Sequence, residues 1–512
     1  MRIDEYSKTD TAGLSSFLRE SAKNMEASQT ASLFDILADA KDTEYGLAHD
    51  FAGIKSVEEF RQKVPVKGYS DFKPYIDRMF EGEEGVLFAG RPVSFVFSSG
   101  TTGDAKTFPE SRAGDEVKRL ISRMRSAEIS RMLEGKRTKG YKIFAITNSS
   151  NFSVNKAGIP VGSASGLTLA QSSQVSEVMS VPTVFSQMGY LCNDEQNYCY
   201  AYFALADENV QELVCNNIAH FIKILDLINA GCEKLLSDVE AGVINAALKD
   251  EDVQKLGIKP RPERAAYLRK IFADKGRLDV IDIWPRFVCA GCWLSSSVGR
   301  FAKEYRDVFP EGTVFIHWGY GASESKFDVP VEPGKPDGIP VAFGSFLELR
   351  DLDDGSIILL HEAEPERLYE LIVTSYSGLY RYDLHDIVRM SAGSDGLPRI
   401  EFICKSKDKV TYKDKVLYAG QLTKMVEDYE DRMHTPVTLF QGRMNDKGLE
   451  LFIEPKDDLD LEAFESFMRG ELEKAGIVLD TVTLYEKGHR NSLFEKVIEG
   501  KSLSATKLPV FI

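Results

Sequence analysis

The stretch Val93-Ser-Phe-Val-Phe-Ser-Ser-Gly-Thr-Thr-Gly-Asp-Ala-Lys106 constrains this chain more than any other. An apolar, β-favouring run from Val93 to Phe97 breaks abruptly into hydroxyl residues and glycine. A strand must therefore end in a loop whose backbone N–H groups can turn toward one point. Ser98, Ser99, Thr101 and Thr102 add hydroxyl donors around Gly100 and Gly103, and Lys106 brings a full positive charge to the same place. Such a loop suits a polyphosphate. It is not the Walker arrangement, because no Gly-Lys-Ser/Thr closes it. An ordinary polar turn is the competing account, since the same residue types are common in turns.

A chain of 512 residues, 43% of them hydrophobic, can bury a sizeable core and has room for more than one domain. Sixty-three basic against seventy-nine acidic residues leave a formal charge of −16, which disfavours binding to nucleic acid or to an anionic membrane surface. No apolar run is long enough to span a bilayer, and the opening Met-Arg-Ile-Asp-Glu-Tyr-Ser-Lys leads into no apolar signal core. Cys289-Ala-Gly-Cys292 is a lone C-x-x-C in an apolar setting, and reads as two buried thiols rather than a zinc or redox pair. These features together lead to the expectation of a soluble cytoplasmic protein with reduced thiols.

Along the chain, Ser56-Val-Glu-Glu59 opens a helix, and the amphipathic spacing repeats over 70–80. A charged helix is predicted over 113–133 and a mostly buried strand over 141–147. Residues 148–183 are rich in Ser, Gly, Asn and Pro and read as loops and short strands of the kind that line pockets. The spacing predicts one long helix over 207–230 and another near 260–275. Strand, helix and strand follow over 286–290, 296–308 and 312–317, which suggests a parallel pair in an α/β sheet. The chain then turns β-rich from 342 to 375. The breakers Ser391-Ala-Gly-Ser-Asp-Gly396 mark the expected boundary, with a large domain over 1–396 and a small α+β domain over 397–512.

Three further stretches carry chemistry. His317-Trp-Gly-Tyr-Gly-Ala-Ser-Glu-Ser325 follows a buried-looking strand. Its Tyr320 suits a stacked base, Gly321, Ala322 and Ser323 allow a close backbone approach, and Glu324 suits a Mg²⁺ ion. A solvated Glu in a turn is the bland alternative. Gly378-Leu-Tyr-Arg-Tyr-Asp-Leu-His-Asp386-Ile-Val-Arg389 sets Asp386 among apolar neighbours, where an unpaired carboxylate is costly. Either a ribose diol or a salt bridge to Arg381 or Arg389 would satisfy it. Near the end, Thr506-Lys507-Leu-Pro509 supplies a lysine that matters only if the small domain reaches the site.

In order and spacing these stretches resemble the auxin-responsive acyl-acid amido synthetase family, a branch of the adenylate-forming superfamily. Ser98 to Lys106 is similar to its phosphate loop, Tyr320 to Glu324 and Gly378 to Asp386 to its second and third motifs. Phe402-Ile-Cys-Lys405 is similar to the start of its C-terminal domain, and Thr506 to Pro509 to its closing Lys-x-Pro. The resemblance implies an α/β fold with a large N-terminal adenylate-forming domain and a small mobile cap. It also implies ATP with Mg²⁺, a small carboxylic acid and an amine, an amino acid foremost, as substrates. Lys106, Glu324 and Lys507 are then catalytic, with Glu324 on the metal. Ser98, Ser99, Gly100, Thr101, Thr102, Gly103, Tyr320, Gly321, Ala322, Ser323 and Asp386 bind the nucleotide. The helix over 113–133 and the loops over 148–183 are expected to line the acyl pocket. Three departures stand out: His385 where the family usually has glycine, a shortened phosphate loop closer to acyl-CoA ligases, and Lys405-Ser-Lys407, which lacks the arginine commonly found at the start of the small domain. They keep a CoA ligase and a non-catalytic small-molecule or nucleotide binder open as alternatives.

Overall fold

The computed structural model describes residues 9–97, 106–147, 153–164, 166–167, 177–498 and 508–512. Two sheets organise the large unit. The first is fully parallel and runs Lys142–Ile146, Val210–Cys215, Cys289–Cys292, Val314–His317 in spatial as well as chain order. Its strands are short and nearly all buried, as befits a sheet covered on both faces. Helices Asn193–Ala206, Ile218–Ala230, Cys232–Ala241 and Pro262–Lys275 surround it, with Trp284 fully buried among them.

The expected single helix over 207–230 is two elements. Val210-Gln-Glu-Leu-Val-Cys215 is an interior strand, and the helix begins only at Ile218, where Asn217 caps it by accepting from the Ala219 N–H at 2.9 Å. A strand buried on both faces shows no alternation, so its apolar run is read as a continuation of the helix. Cys289-Ala-Gly-Cys292 is itself a strand, with both thiols buried. The parallel pairing of Cys289–Cys292 with Val314–His317 agrees with the strand–helix–strand reading.

The second large sheet is antiparallel, ordered Ile357–Leu359, Phe346–Asp351, Leu368–Thr374, Tyr382–Ala392, Pro398–Lys405. The N-terminal helices pack on it in one core that includes Phe60, Phe72, Leu349, Leu371 and Tyr380. The breakers at Gly393–Gly396, expected to mark a domain boundary, instead turn a hairpin, because Pro398–Lys405 pairs with Tyr382–Ala392. A separate core forms only beyond Lys409. It is built from Leu417, Leu422, Val426, Leu451, Phe464 and Leu472, on the helices Ala419–Met433 and Leu461–Lys474 and the sheet Val437–Met444, Leu449–Pro455, Leu479–Leu484. The strand–helix–strand of 449–484 places its two strands parallel.

The core around the parallel sheet, to which Ala302 belongs, and this C-terminal core are joined by ions. Arg300, on the helix Ser296–Glu304, makes a two-pronged pair with Glu430 on Ala419–Met433, at 3.0 and 2.9 Å, and donates to the Val437 carbonyl at 2.7 Å. Lys303 pairs with Asp431 at 2.7 Å, and Arg490 pairs with Glu304 at 2.5 Å.

Candidate active site

Ser94–Phe97 and Thr107–Glu110 pair as antiparallel strands, and the expected phosphate loop falls between them in the sequence. Ser98, Ser99, Gly100, Thr101, Thr102 and Gly103 lie outside the described residues, as does Lys507. At the start of the second strand, the Thr107 N–H donates to the Tyr69 hydroxyl at 2.9 Å, and that hydroxyl lies 3.2 Å from the Thr107 carbonyl. Lys106 is thereby aimed inward. Its ammonium donates to the Tyr382 hydroxyl at 3.3 Å and lies over the rings of Tyr69 and Tyr382, at 5.3 and 6.0 Å. Burial lowers its pKa; Glu324 and Asp386 oppose that shift, while Lys405 and Lys407 add to it.

Beyond the strand Val314–His317 the chain makes a tight turn. Gly321 bridges Lys326, and the Ala322 N–H donates to the Ser325 carbonyl at 2.8 Å. This turn carries Ser323 and presents Glu324, only 8% exposed. Burial raises the Glu324 pKa, and the nearby charges of Lys405 and Lys106 pull it back. Among the described residues Glu324 makes no direct ion pair. A buried carboxylate with cations nearby but none bonded suits a divalent metal ion that also holds phosphate oxygens.

Tyr320 is placed otherwise than expected. Its ring stacks on Phe402, with centroids 5.3 Å apart, and packs against Phe327 at 4.7 Å, which leaves little face for a base. Its hydroxyl donates to Asp386 Oδ2 at 2.7 Å, and its N–H donates to Asp328 Oδ1 at 2.7 Å.

Asp386, 2% exposed, comes in on Tyr382–Ala392 and sits opposite Lys405 in the register of the sheet. The Lys405 ammonium pairs with its other oxygen. Neither Arg381 nor Arg389 contributes: Arg381 pairs with Glu348 at 2.8 Å and Arg389 with Glu401 at 2.5 Å. Burial works against the charge of Lys405, yet Asp386 and Glu324 raise its pKa above the ordinary value. The sequence reading did not find Lys405 as a site residue; its place four residues after Glu401 on a sheet partner of Asp386 is visible only in the register.

His385 has φ = +59°, in the left-handed region where glycine is unstrained. This backbone requirement accounts for a glycine preference at the position. The imidazole turns to Asp383 and Glu370, at 3.1 and 3.2 Å, where Arg350 pairs with both carboxylates. Burial opposes the charge of Glu370, but hydrogen bonds led by His385 carry it down to about 2. His385, Asp383 and Glu370 come together as three metal-type side chains, and Arg350 already pairs with both carboxylates of that group.

At the C-terminus the segment 508–512 lies along Val437–Met444: the Gly442 N–H donates to the Val510 carbonyl at 2.7 Å, and Gln441 donates to the Pro509 carbonyl at 2.9 Å. The centre of the site is thus two carboxylates, Glu324 and Asp386, interleaved with two ammoniums, Lys106 and Lys405.

The GH3 family N-terminal domain model matches residues 14–314, and the GH3 family central domain model matches residues 340–405. The indole-3-acetic acid-amido synthetase GH3.2 of Arabidopsis thaliana is 23% identical over 439 residues, spanning 80% of this chain and 80% of its own. The 4-substituted benzoates-glutamate ligase GH3.12, also of Arabidopsis thaliana, is 23% identical over 423 residues, spanning 75% of this chain and 70% of its own. Among solved structures, the AtGH3.15 acyl acid amido synthetase in complex with 2,4-DB superposes with a TM-score of 0.80 at 19% identity, covering 98% of this chain and 94% of its own. That likeness is one of fold.

Proposed function

The chain belongs to the GH3 family, and from that membership we propose that it is an ATP-dependent ligase joining a small carboxylic acid to an amino acid. In the first half-reaction a carboxylate oxygen attacks the α-phosphorus of ATP, the bond to the bridging oxygen breaks, and pyrophosphate leaves. In the second, the amine nitrogen attacks the acyl carbon, AMP leaves with the bonding electrons, and the amine's surplus proton passes to water.

The observation that carries this reading is the meeting of Lys106, Glu324, Asp386 and Lys405 from distant segments of the chain, two buried carboxylates set among two partly buried ammoniums. Carboxylate and triphosphate repel one another, so cations must stand where negative charge gathers. Lys106 serves that need directly, from just before the strand Thr107–Glu110. Mg²⁺ held by Glu324 would neutralise phosphate charge. Ser98 to Gly103 cradle the triphosphate through backbone N–H groups and hydroxyls. Gly321, Ala322 and Ser323 let the nucleotide lie close to the backbone, and Asp386 accepts from the ribose diol. Tyr320 acts through Asp386, whose carboxylate it orients.

The mixed anhydride hydrolyses readily, so a cover that excludes water is a chemical requirement. The unit built around the core beyond Lys409 supplies it, diverging from the large unit after Lys405, and Lys507 is the lysine that unit would contribute. No helix among the described residues is long and apolar enough to cross a membrane.

The test is pyrophosphate release from ATP and Mg²⁺ across a panel of carboxylic acids, with amino acids or CoA as acceptors and product masses recorded. Acid-dependent release suppressed by Glu324→Gln and Lys507→Ala, with an amide as product, is the expected result. A thioester in place of the amide would make it a CoA ligase. Nucleotide binding without release for any acid would make it a binder.

A further inference from the structure

Segment 508–512 touches both units of the molecule, and the chemistry above makes no use of it. It runs parallel to Val437–Met444, bridged at Gly442 and Phe511. The Gly442 N–H donates to the Val510 carbonyl at 2.7 Å, and the Ile512 N–H donates to the Gly442 carbonyl at 3.0 Å. Gln441, 2% exposed, fixes the approach. Its amide nitrogen donates to the Pro509 carbonyl at 2.9 Å, and its amide oxygen accepts from the Tyr485 hydroxyl at 3.1 Å. Gly442 leaves room for the ring of Phe511. A Cβ at Gly442 would stand 3.1 Å from the Cδ1 and Cε1 of that ring, closer than packed carbons normally come.

Val510 and Phe511 then pack in two directions. On one side they join the C-terminal core of Leu417, Leu451 and Phe464. On the other they cover a small buried cluster of Ile387, Cys404 and Ala419. Ile387 and Cys404 are cross-strand partners, one step along the ladder from the pair Asp386 and Lys405. Neighbouring side chains on a strand point to opposite faces. Asp386 and Lys405 therefore stand on one face of this strand pair, and Val510 and Phe511 press on the other. The first turn of Ala419–Met433 closes on the same strand, since a Cβ at Gly420 would collide with Ile403.

Resting on the nucleotide site proposed above, we infer that Phe511, with Val510, is a positioning residue for nucleotide binding. Seated on Gly442, its ring holds the C-terminal unit against the back of the Asp386–Lys405 pair. It thereby fixes the strand on which Asp386 meets the ribose diol. Phe511 acts through the cluster of Ile387 and Cys404 rather than by touching the nucleotide. The docking of the C-terminal unit and the affinity for ribose are thus coupled, and a change in one is felt by the other.

The test is equilibrium binding to the full chain of ATP with Mg²⁺, and of the dideoxy analogue that lacks both ribose hydroxyls. The parent is expected to bind ATP roughly tenfold more tightly than the analogue, the worth of a charge-assisted hydrogen bond to Asp386. Phe511→Ala should narrow that gap by about threefold or more, with the affinity for the analogue little changed. Phe511→Leu keeps an apolar side chain over Gly442 and should restore the gap. Gly442→Ala should narrow it with Phe511 intact, and adding it to Phe511→Ala should cost little further, because both act on one contact. A gap that survives Phe511→Ala overturns the inference. So does equal weakening of both nucleotides, the mark of a merely structural role, or a Phe511→Leu protein no better than Phe511→Ala. A parent that binds both nucleotides alike, or neither, defeats the ribose contact and this inference with it. A parent gap that the variants leave untouched defeats the positioning role alone.

Discussion

The hydroxyl of Tyr320 donates to the carboxylate of Asp386 at 2.7 Å, and so fastens the turn after the parallel sheet to a strand of the antiparallel one. With Lys405 on the other oxygen, Asp386 is held from both sides in a place where water cannot solvate it. Tyr320→Phe keeps the ring against Phe327 and Phe402 and removes only this hydroxyl. A lost hydrogen bond to a buried charge is worth roughly 2 kcal/mol. The variant should fold, melt several degrees lower, and show a rise in the KM for ATP of about tenfold with a smaller change in kcat. A KM left unchanged would show that the orientation of Asp386 does not matter to nucleotide binding.

Lys405 is the counter-ion that makes the burial of Asp386 tolerable. Lys405→Met leaves a carboxylate that is 2% exposed without its cation. Because the lysine side chain is itself 39% exposed, water compensates to some extent, and a loss of about 2 kcal/mol is expected. Lys405→Arg keeps a positive charge opposite Asp386 and should recover stability and adenylation to near the parent level. Urea unfolding and pyrophosphate release together decide the matter. If Met and Arg behave alike, the charge at 405 has no role in either property.

Local signals in the sequence carried the helices with polar outer faces and clear caps, such as Arg112–Met132, where Ser111 accepts from the Gly114 N–H at 2.9 Å. They carried the alternation of strand, helix and strand over 286–317 as well. They failed at Val210–Cys215, because a strand covered on both faces loses the alternation that marks a strand. They failed again at Gly393–Gly396, where the same breakers serve a hairpin turn or a domain boundary, and only the pairing of Pro398–Lys405 distinguishes the two. The motifs brought Lys106, Glu324 and Asp386 to attention one at a time. What they lacked was register: Lys405 faces Asp386 and Tyr320 reaches it with its hydroxyl through pairings between distant segments, which no short window contains.

Arg300 and Glu430 form the best-placed joint between the two cores, with side chains 15% and 11% exposed. The guanidinium also lies 4.9 Å over the Phe440 ring. A double-mutant cycle on Arg300→Ala and Glu430→Ala should give a coupling of roughly 1–3 kcal/mol by urea unfolding. The single arginine variant should lose more than the glutamate variant, since it also abandons the Val437 carbonyl. Both should quicken proteolysis in the segment 405–409 that connects the cores. Additive single effects, with unchanged proteolysis, would mean the pair does not hold the units together.

His385 sets a backbone cost against an ionic gain, and the two can be separated by pH. At φ = +59° a side chain with a Cβ is strained by roughly 1 kcal/mol relative to glycine, and the flexibility of glycine in the unfolded chain offsets some of that difference. The gain comes from the imidazolium, whose pKa is raised chiefly by the hydrogen bond to Glu370 and further by Asp383, against the effect of burial. A histidine with a folded pKa above its unfolded one contributes its full stability below the unfolded value of about 6.5, and loses it as pH rises through the folded value. The ring is 55% exposed, so screening limits the contribution to under about 1 kcal/mol. His385→Gly should therefore melt below the parent at pH 5.5, where the ion pair is present. It should equal or exceed the parent at pH 9, where only the strain remains. Thermal melts at the two pH values check this. A difference of the same sign and size at both would mean that the imidazolium contributes nothing, and that the residue at 385 is judged by its backbone alone.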